Sequence, residues 1–181
     1  MQKGVDNEIS YVDDDPFLKA EAIERYMKSH ERIIFVDFGI SLDEKSIAQC
    51  FEKHEGVGCL VFPAVKEGID WNLFKHKVKS GSKEPTEQMG LNFDTEIGAK
   101  ISDDIYKVKS TTSKAWCMNT KNVIKTIKDK RSGKWTINPK MFAKFTEQGV
   151  RIYAFTAAKL VMTYTHECIS NILNAAGIKV N

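Results

Sequence analysis

A small set of side chains in this sequence could do chemistry. Asp37 stands directly after an unbroken apolar run, Ile33-Ile34-Phe35-Val36. Lys66 and Asp70 follow a second such run, Cys59 to Phe62, and the carboxylates Asp94 and Glu96 follow a polar, glycine-containing stretch. Carboxylates hold hard divalent cations or accept protons from hydroxyl groups, and a lysine reaches phosphate as a point charge. Each has a plainer reading beside the chemical one. An aspartate after a strand caps a neighbouring turn, and the plainer reading of Asp94 is a cap for a short helix starting at Thr95 and Glu96. Lys66 is equally one more exposed lysine. Lys125, Lys128, Lys130, Arg131 and Lys134 could touch phosphate, or form a solvated helix end whose dipole favours positive charge. Three aspartates, Asp13 to Asp15, could bind a cation or form a turn and helix cap.

The elements that must place these groups are read from periodicity. Residues 33–36 lack charge on either face, which predicts a buried strand in the middle of a sheet. Gly39 then makes a turn, and Ser41 with Glu44 forms a capping box. This predicts a helix over 42–54 with Ile47, Ala48 and Phe51 inward. Strand, acid, turn and helix put Asp37 outside a strand's carboxyl end, where open α/β sheets bind their ligands. Upstream, Asp15-Pro16 predicts a helix from Pro16 to about Ser29, carrying Ala20, Ile23 and Met27 on one face. Downstream, Pro63 stops the strand 59–62. A helix over 70–79 turns Trp71, Phe74 and Val78 inward. Trp71 and Trp116 could stack on a ring, or simply fill the core. Residues 80–95 read as a mobile loop. Strands over 105–108 and 114–118 follow, then a helix capped by Asn119 or Thr120 with Val123, Ile124 and Ile127 inward. A basic turn over 128–134 leads to a helix from Asn138-Pro139 to Gln148, which buries Met141, Phe142 and Phe145. Strands over 150–155 and 159–164 precede a last helix containing Cys168, Ile169, Ile172 and Leu173. The pattern predicts an α/β fold, a mixed sheet flanked by helices. Residues 1–16 form a polar N-terminal segment and 17–181 a single domain.

Composition removes several classes. The chain has 181 residues, 42% hydrophobic and 28% charged, enough for one domain with a sizeable core. No run approaches the ~20 apolar residues of a membrane span. A net charge of +3 without a dense basic stripe gives no reason to expect nucleic acid as a partner. None of the four cysteines forms a CxxC pair, so zinc knuckles are out. Buried free thiols suit the cytoplasm or another reducing compartment. Asp37-Phe38-Gly39-Ile40-Ser41 has too few glycines for a dinucleotide turn. It contains a kinase-like Asp-Phe-Gly, but the companion loops are absent. No Gly-x-Ser-x-Gly elbow is present.

Three stretches together resemble the nucleotide-sugar-dependent glycosyltransferases of the GT-A fold. Phe35-Val36-Asp37-Phe38-Gly39 is similar to a strand ending in Asp-x-Asp, with Asp37 at the first acidic position and Gly39 at the second. Phe62-Pro63-Ala64-Val65-Lys66-Glu67-Gly68-Ile69-Asp70-Trp71 resembles a segment of some microbial and viral members. Tyr164-Thr165-His166 resembles a late strand carrying a metal-binding histidine. The resemblance implies a fold of the GT-A type and transfer of a sugar from a nucleoside diphosphate sugar to an acceptor. It implies Mg²⁺ or Mn²⁺ on Asp37 and His166. Asp37, Lys66 and Asp70 would bind the cofactor, and Asp94 and Glu96 would act as base or sugar-orienting groups. The nucleotide-binding strands that would precede Ile33 do not fit in about thirty residues. A fragment, a truncated relative or a domain completed by another chain is expected, with a protein partner or homo-oligomer. The lost second carboxylate makes a non-catalytic interaction module on the same scaffold the rival expectation.

Overall fold

The computed structural model describes residues 6–66, 69–83, 86, 89–157 and 160–162. Helix α1 spans Pro16–Met27 and is capped by Asp15, whose Oδ1 accepts from the Phe17 and Leu18 N–H groups. Its buried side chains are Ala20, Ile23 and Met27, the face expected from the sequence. Strands β1 (Arg32–Val36) and β2 (Ile40–Leu42) precede α2 (Glu44–Phe51), β3 (Cys59–Val61) and α3 (Trp71–Lys79). Then come β4 (Thr95–Ser102), β5 (Ile105–Thr111), β6 (Ala115–Asn119), α4 (Thr120–Ile127), α5 (Met141–Glu147), β7 (Ile152–Phe155) and β8 (Leu160–Met162).

Among the described residues, six strands form one sheet in the order β1-β6-β3-β7-β5-β4. Only β3 and β7 run parallel; the other neighbours are antiparallel. Strands β2 and β8 make a separate antiparallel pair. The fold is therefore mixed α/β with a central sheet flanked by helices. Alternation along β6 divides its side chains between two cores. Trp116 and Met118 join Val61, Ile23, Met27, Val123, Met141, Phe142 and Phe145 on one face. Ala115 and Cys117 join Leu60, Phe62, Phe155 and Cys50 of α2 on the other. Phe35 stacks on Trp116 at 5.1 Å, and Phe142 meets the same indole edge-on at 5.9 Å.

Several expectations need correction. Strand β1 lies at the edge of the sheet among the described residues, not in its middle. Ile33 and Phe35 pack against the core, while Ile34 and Val36 are each 41% exposed. An apolar run records which side chains can be buried, but not which strand arrives to pair on each side. Here β6 takes the inner place, with Cys117 opposite Ile34 although 83 residues later in the chain. The cap of α2 is Asp43, which accepts from the Ser46 N–H, and Ser41 belongs to β2. The shifted start turns Ser46 and Cys50 inward and leaves Ile47, Ala48 and Phe51 exposed. Helix α3 lies where a helix was expected, but Asp70 is its cap, it buries no residue, and Trp71 is exposed. Thr95 and Glu96 open β4 instead of a helix. The last helix lies outside the described residues, as do residues 84, 85, 87 and 88 of the expected loop.

Phe145 is 1% exposed and Phe38 is 87% exposed. Phe145→Ala should therefore cost about 3–5 kcal/mol. Phe38→Ala should change stability by no more than about 0.5 kcal/mol. Urea unfolding of the two variants measures both; similar losses would contradict the packing described.

Candidate functional site

One end of the sheet gathers the polar groups. Strands β1 and β3 leave the sheet where β6 enters it, with Val36 opposite Ala115 and Val61 opposite Trp116. The Asp37 N–H donates to the Lys114 carbonyl at 2.8 Å, and the Phe62 N–H to the Ala115 carbonyl at 3.0 Å. Beyond Asp37 the chain turns through Gly39, whose φ of +75° favours glycine. The Ile40 N–H closes that turn onto the Asp37 carbonyl.

The Asp37 carboxylate is held by Lys19, at 2.9 Å. Lys19 also reaches Asp14 at 2.6 Å, so one ammonium bridges two carboxylates. Helix α1 supplies it from the turn after the Asp15 cap. Burial alone would lower the Lys19 pKa, but the hydrogen bonds and charges of Asp14 and Asp37 outweigh it and raise the pKa. Both side chains of the Lys19–Asp37 pair are about four-fifths buried, a setting in which an ion pair is screened less than on an open surface.

Asp94 lies at the same end, against the residues that follow β3. Its N–H donates to the Ala64 carbonyl at 3.0 Å, and the Ala64 N–H donates back to Asp94 Oδ1 at 3.1 Å. The Thr95 hydroxyl donates to Oδ1 at 2.7 Å and lies 2.8 Å from the Thr111 hydroxyl. The Thr111 hydroxyl oxygen accepts from the Ser113 N–H. Oδ2 is buried and makes no hydrogen bond of normal geometry with the described residues. Burial pushes the Asp94 carboxyl up. The Thr95 hydroxyl, the Ala64 and Lys114 N–H groups and the Lys66 charge pull against that rise without cancelling it. A carboxyl raised in this way moves toward the range in which proton exchange near neutral pH is efficient.

The other expected residues fall differently. Lys66 is near enough for its charge to act on Asp94, and its N–H donates to the Asn92 carbonyl. Asp70 is committed as the α3 cap: Oδ1 accepts from the Asn72 and Leu73 N–H groups, and Oδ2 from the Asn92 amide. The Leu73 N–H, then the Asn92 amide, hold its pKa below the usual value. Glu96 is exposed, whereas Thr95 is buried, as alternation along a strand requires. Its carboxylate pairs with Lys109 at 3.0 Å, away from the Thr95 hydroxyl chain. His166 lies outside the described residues. The structure thus brings Asp37, Asp94 and Lys66 to one end of the sheet and leaves Glu96 turned out. Lys19, Lys114, Thr95 and Ser113 complete the arrangement without having been expected. The hydroxyl-rich Thr111-Thr112-Ser113 run was the available signal for two of its hydroxyls; nothing in the sequence links Lys19 to Asp37.

Among the described residues, no three His, Cys, Asp or Glu side chains cluster in a way that could hold a metal ion. The Asp37 carboxylate already has a cationic partner in Lys19. The described residues alone do not fit a Mg²⁺ or Mn²⁺ site, which needs several oxygen donors around the ion. No helix among them is long and apolar enough to cross a membrane. Comparison of the chain with protein-family models, curated proteins and solved structures gives no match.

The raised Asp94 pKa has a testable sign. Burial makes the ionised form of Asp94 costly in the folded state, and as pH falls through the raised folded value protonation relieves that cost. Asp94→Asn keeps an Oδ1 acceptor and removes the charge. Its advantage over wild type should be greatest at neutral pH and fade as pH falls through the folded pKa toward about 3.9, the unfolded value. Paired urea titrations from pH 7.5 to 3.5 measure the difference; an advantage that grows on acidification would contradict the assignment.

Proposed function

We propose that this chain is a glycosyltransferase-like domain of the GT-A type. Its site lies at the end of the sheet where β1, β3 and β6 meet. The observation that carries this reading is that Asp37 and Asp94, far apart in sequence, both lie beside Lys114: the Asp37 N–H donates to the Lys114 carbonyl, and the Lys114 N–H lowers the Asp94 pKa. That position, outside the carboxyl ends of two strands, is where α/β sheets bind ligands. In this reading Asp94 takes the proton of the acceptor hydroxyl, since its carboxyl is half-buried and raised. Lys66 faces the donor's phosphates. Asp37 orders the turn over which the donor sits, and Lys19 provides fixed positive charge beside it. Mg²⁺ or Mn²⁺ belongs to the proposal only if Lys19 gives up Asp37 when the donor binds. His166 would then be a further ligand.

The second reading is a non-catalytic interaction module on the same scaffold. What favours it is the Lys19–Asp37 pair, which already neutralises the only carboxylate standing where the resemblance places the metal.

Titration calorimetry with Mn²⁺ and a panel of uridine and guanosine diphosphate sugars separates the two. The transferase reading expects donor binding that is lost in Asp37→Ala; dependence of that binding on Mn²⁺ would show that Lys19 yields Asp37 to the ion. It expects Asp94→Asn to bind the donor yet lower transfer by about 10²–10⁴-fold. Folded protein that binds no donor, with its partner chains present, would leave the interaction module as the reading. Binding unchanged in Asp37→Ala would place the site elsewhere.

A further inference from the structure

The charge of this chain is unevenly distributed. Residues 121–144 hold eight Lys or Arg and one acid, Asp129. The remaining 19 basic and 23 acidic residues give the rest of the chain a net charge of −4, against +3 for the whole. The cations gather where α4 ends. A hollow of about 470 Å³ is lined there by Lys125, Lys128, Lys130, Arg131, Ser132 and Asp129.

Asp129 offsets one of these cations, and its carboxylate is held in place by the loop itself. Its Oδ1 accepts from the Arg131 N–H at 3.0 Å, the Ser132 N–H at 2.6 Å and the Ser132 hydroxyl at 2.9 Å. The Gly133 N–H donates to the Asp129 carbonyl, and the Asp129 N–H to the Lys134 carbonyl. Asp129 thus closes the loop through Oδ1 while keeping its single negative charge, and the loop is fixed by its own hydrogen bonds. Lys121, at the start of α4, is paired with Glu31. Lys125, Lys128, Lys130, Arg131 and Lys134 form no ion pair among the described residues. A helix C-terminus attracts about half a unit of positive charge. Four cations around one hollow, with a fifth at Lys134, exceed that half-charge and the one carboxylate of Asp129 together, so repulsion among them is left for a ligand to relieve.

We propose that this hollow binds a compact, multiply charged phosphate group, with Lys125, Lys128, Lys130 and Arg131 as its cationic walls. Three lysines suit a compact polyanion recognised by charge, and Arg131 adds a planar fork for two phosphate oxygens. Among the described residues, no large apolar side chain lines the hollow to insert into a lipid layer. The site is separate from the sheet end that holds Asp37. Trp135, just after the loop, lies against Lys28 at the C-terminal end of α1, whereas Lys19 sits near the N-terminal end. The inference therefore does not rest on the glycosyltransferase reading.

The test is titration calorimetry of the full chain with inorganic tripolyphosphate at low and physiological salt. Lys128→Glu/Arg131→Glu is compared with Lys75→Glu/Lys79→Glu, which makes the same change of net charge on α3. The expected result is binding that weakens with salt, falls at least about tenfold in the first variant and stays within about threefold in the second. Lys130→Gln/Lys134→Gln, which leaves the Asp129 turn in place, serves if the first variant fails to fold, and should also weaken binding. Vesicles carrying a phosphoinositide are a separate arm. Competition between them and tripolyphosphate assigns the phosphate to a lipid headgroup; tripolyphosphate binding without vesicle binding assigns it to a free polyphosphate. Absence of tripolyphosphate binding, equal loss in both charge-reversal variants, or binding only to single-stranded RNA would overturn the proposal.

Discussion

Strand β6 is the constraint on which the rest depends. It runs antiparallel between β1 and β3, hydrogen-bonded on both sides, and Ala115 to Met118 are all buried. Its alternate side chains enter both cores, so α1, α4 and α5 on one face and α2 on the other are packed through it. Its entry point also fixes the candidate site. Lys114 must offer its carbonyl to Asp37, and Ala115 must offer its carbonyl to Phe62, because the antiparallel register continues one residue past each strand. The polar end of the sheet is a consequence of how the core strand is placed.

Two aspartates at that end show how environment sets role. Asp37 has an ammonium within 2.9 Å, whereas no acidic oxygen or ammonium is hydrogen-bonded to Asp94 among the described residues. Asp94 is held by two neutral groups on one oxygen, while the other oxygen is buried without a bond of normal geometry. The second arrangement leaves a carboxyl whose pKa burial raises. Asp70 is a third case, with both oxygens occupied by the α3 cap and the Asn92 amide. Residue type alone does not distinguish these three.

That contrast also explains what could be read in advance. Local signals were dependable where a single turn or face decides the outcome: Asp15-Pro16 at the start of α1, Asn119 capping α4, and Met141, Phe142 and Phe145 turned inward on α5. They failed where partners distant in sequence decide. The apolar 33–36 run gave no notice that β6 would take its inner side, and the Ser41–Glu44 box lost to Asp43 once residues 40–42 paired with β8. The same limit applied at the site. Asp37 was legible as an acid after a strand, but its partner Lys19 was not, because a helix-to-strand ion pair leaves no periodic mark. Asp94 was legible as a carboxylate but misplaced as a helix cap, since its ordering contacts come from Ala64, Thr95 and the far end of β5.

The site and the core draw on different interactions, and this bears on how such a domain can change. The core is apolar and shared among β1, β3, β6, β7, α1, α4 and α5. The site end is held by backbone hydrogen bonds between segments that follow or precede strands, and by hydroxyl and ionic contacts of Asp37, Asp94, Lys19 and Thr95. Removing a charge there leaves the apolar contacts untouched, while a cavity in the core weakens every element at once. A scaffold built this way can lose or exchange the groups at its polar end and keep its fold, so retention of the fold carries little information about retained catalysis. The discriminating feature is whether Lys19 holds Asp37 permanently or yields it to a ligand.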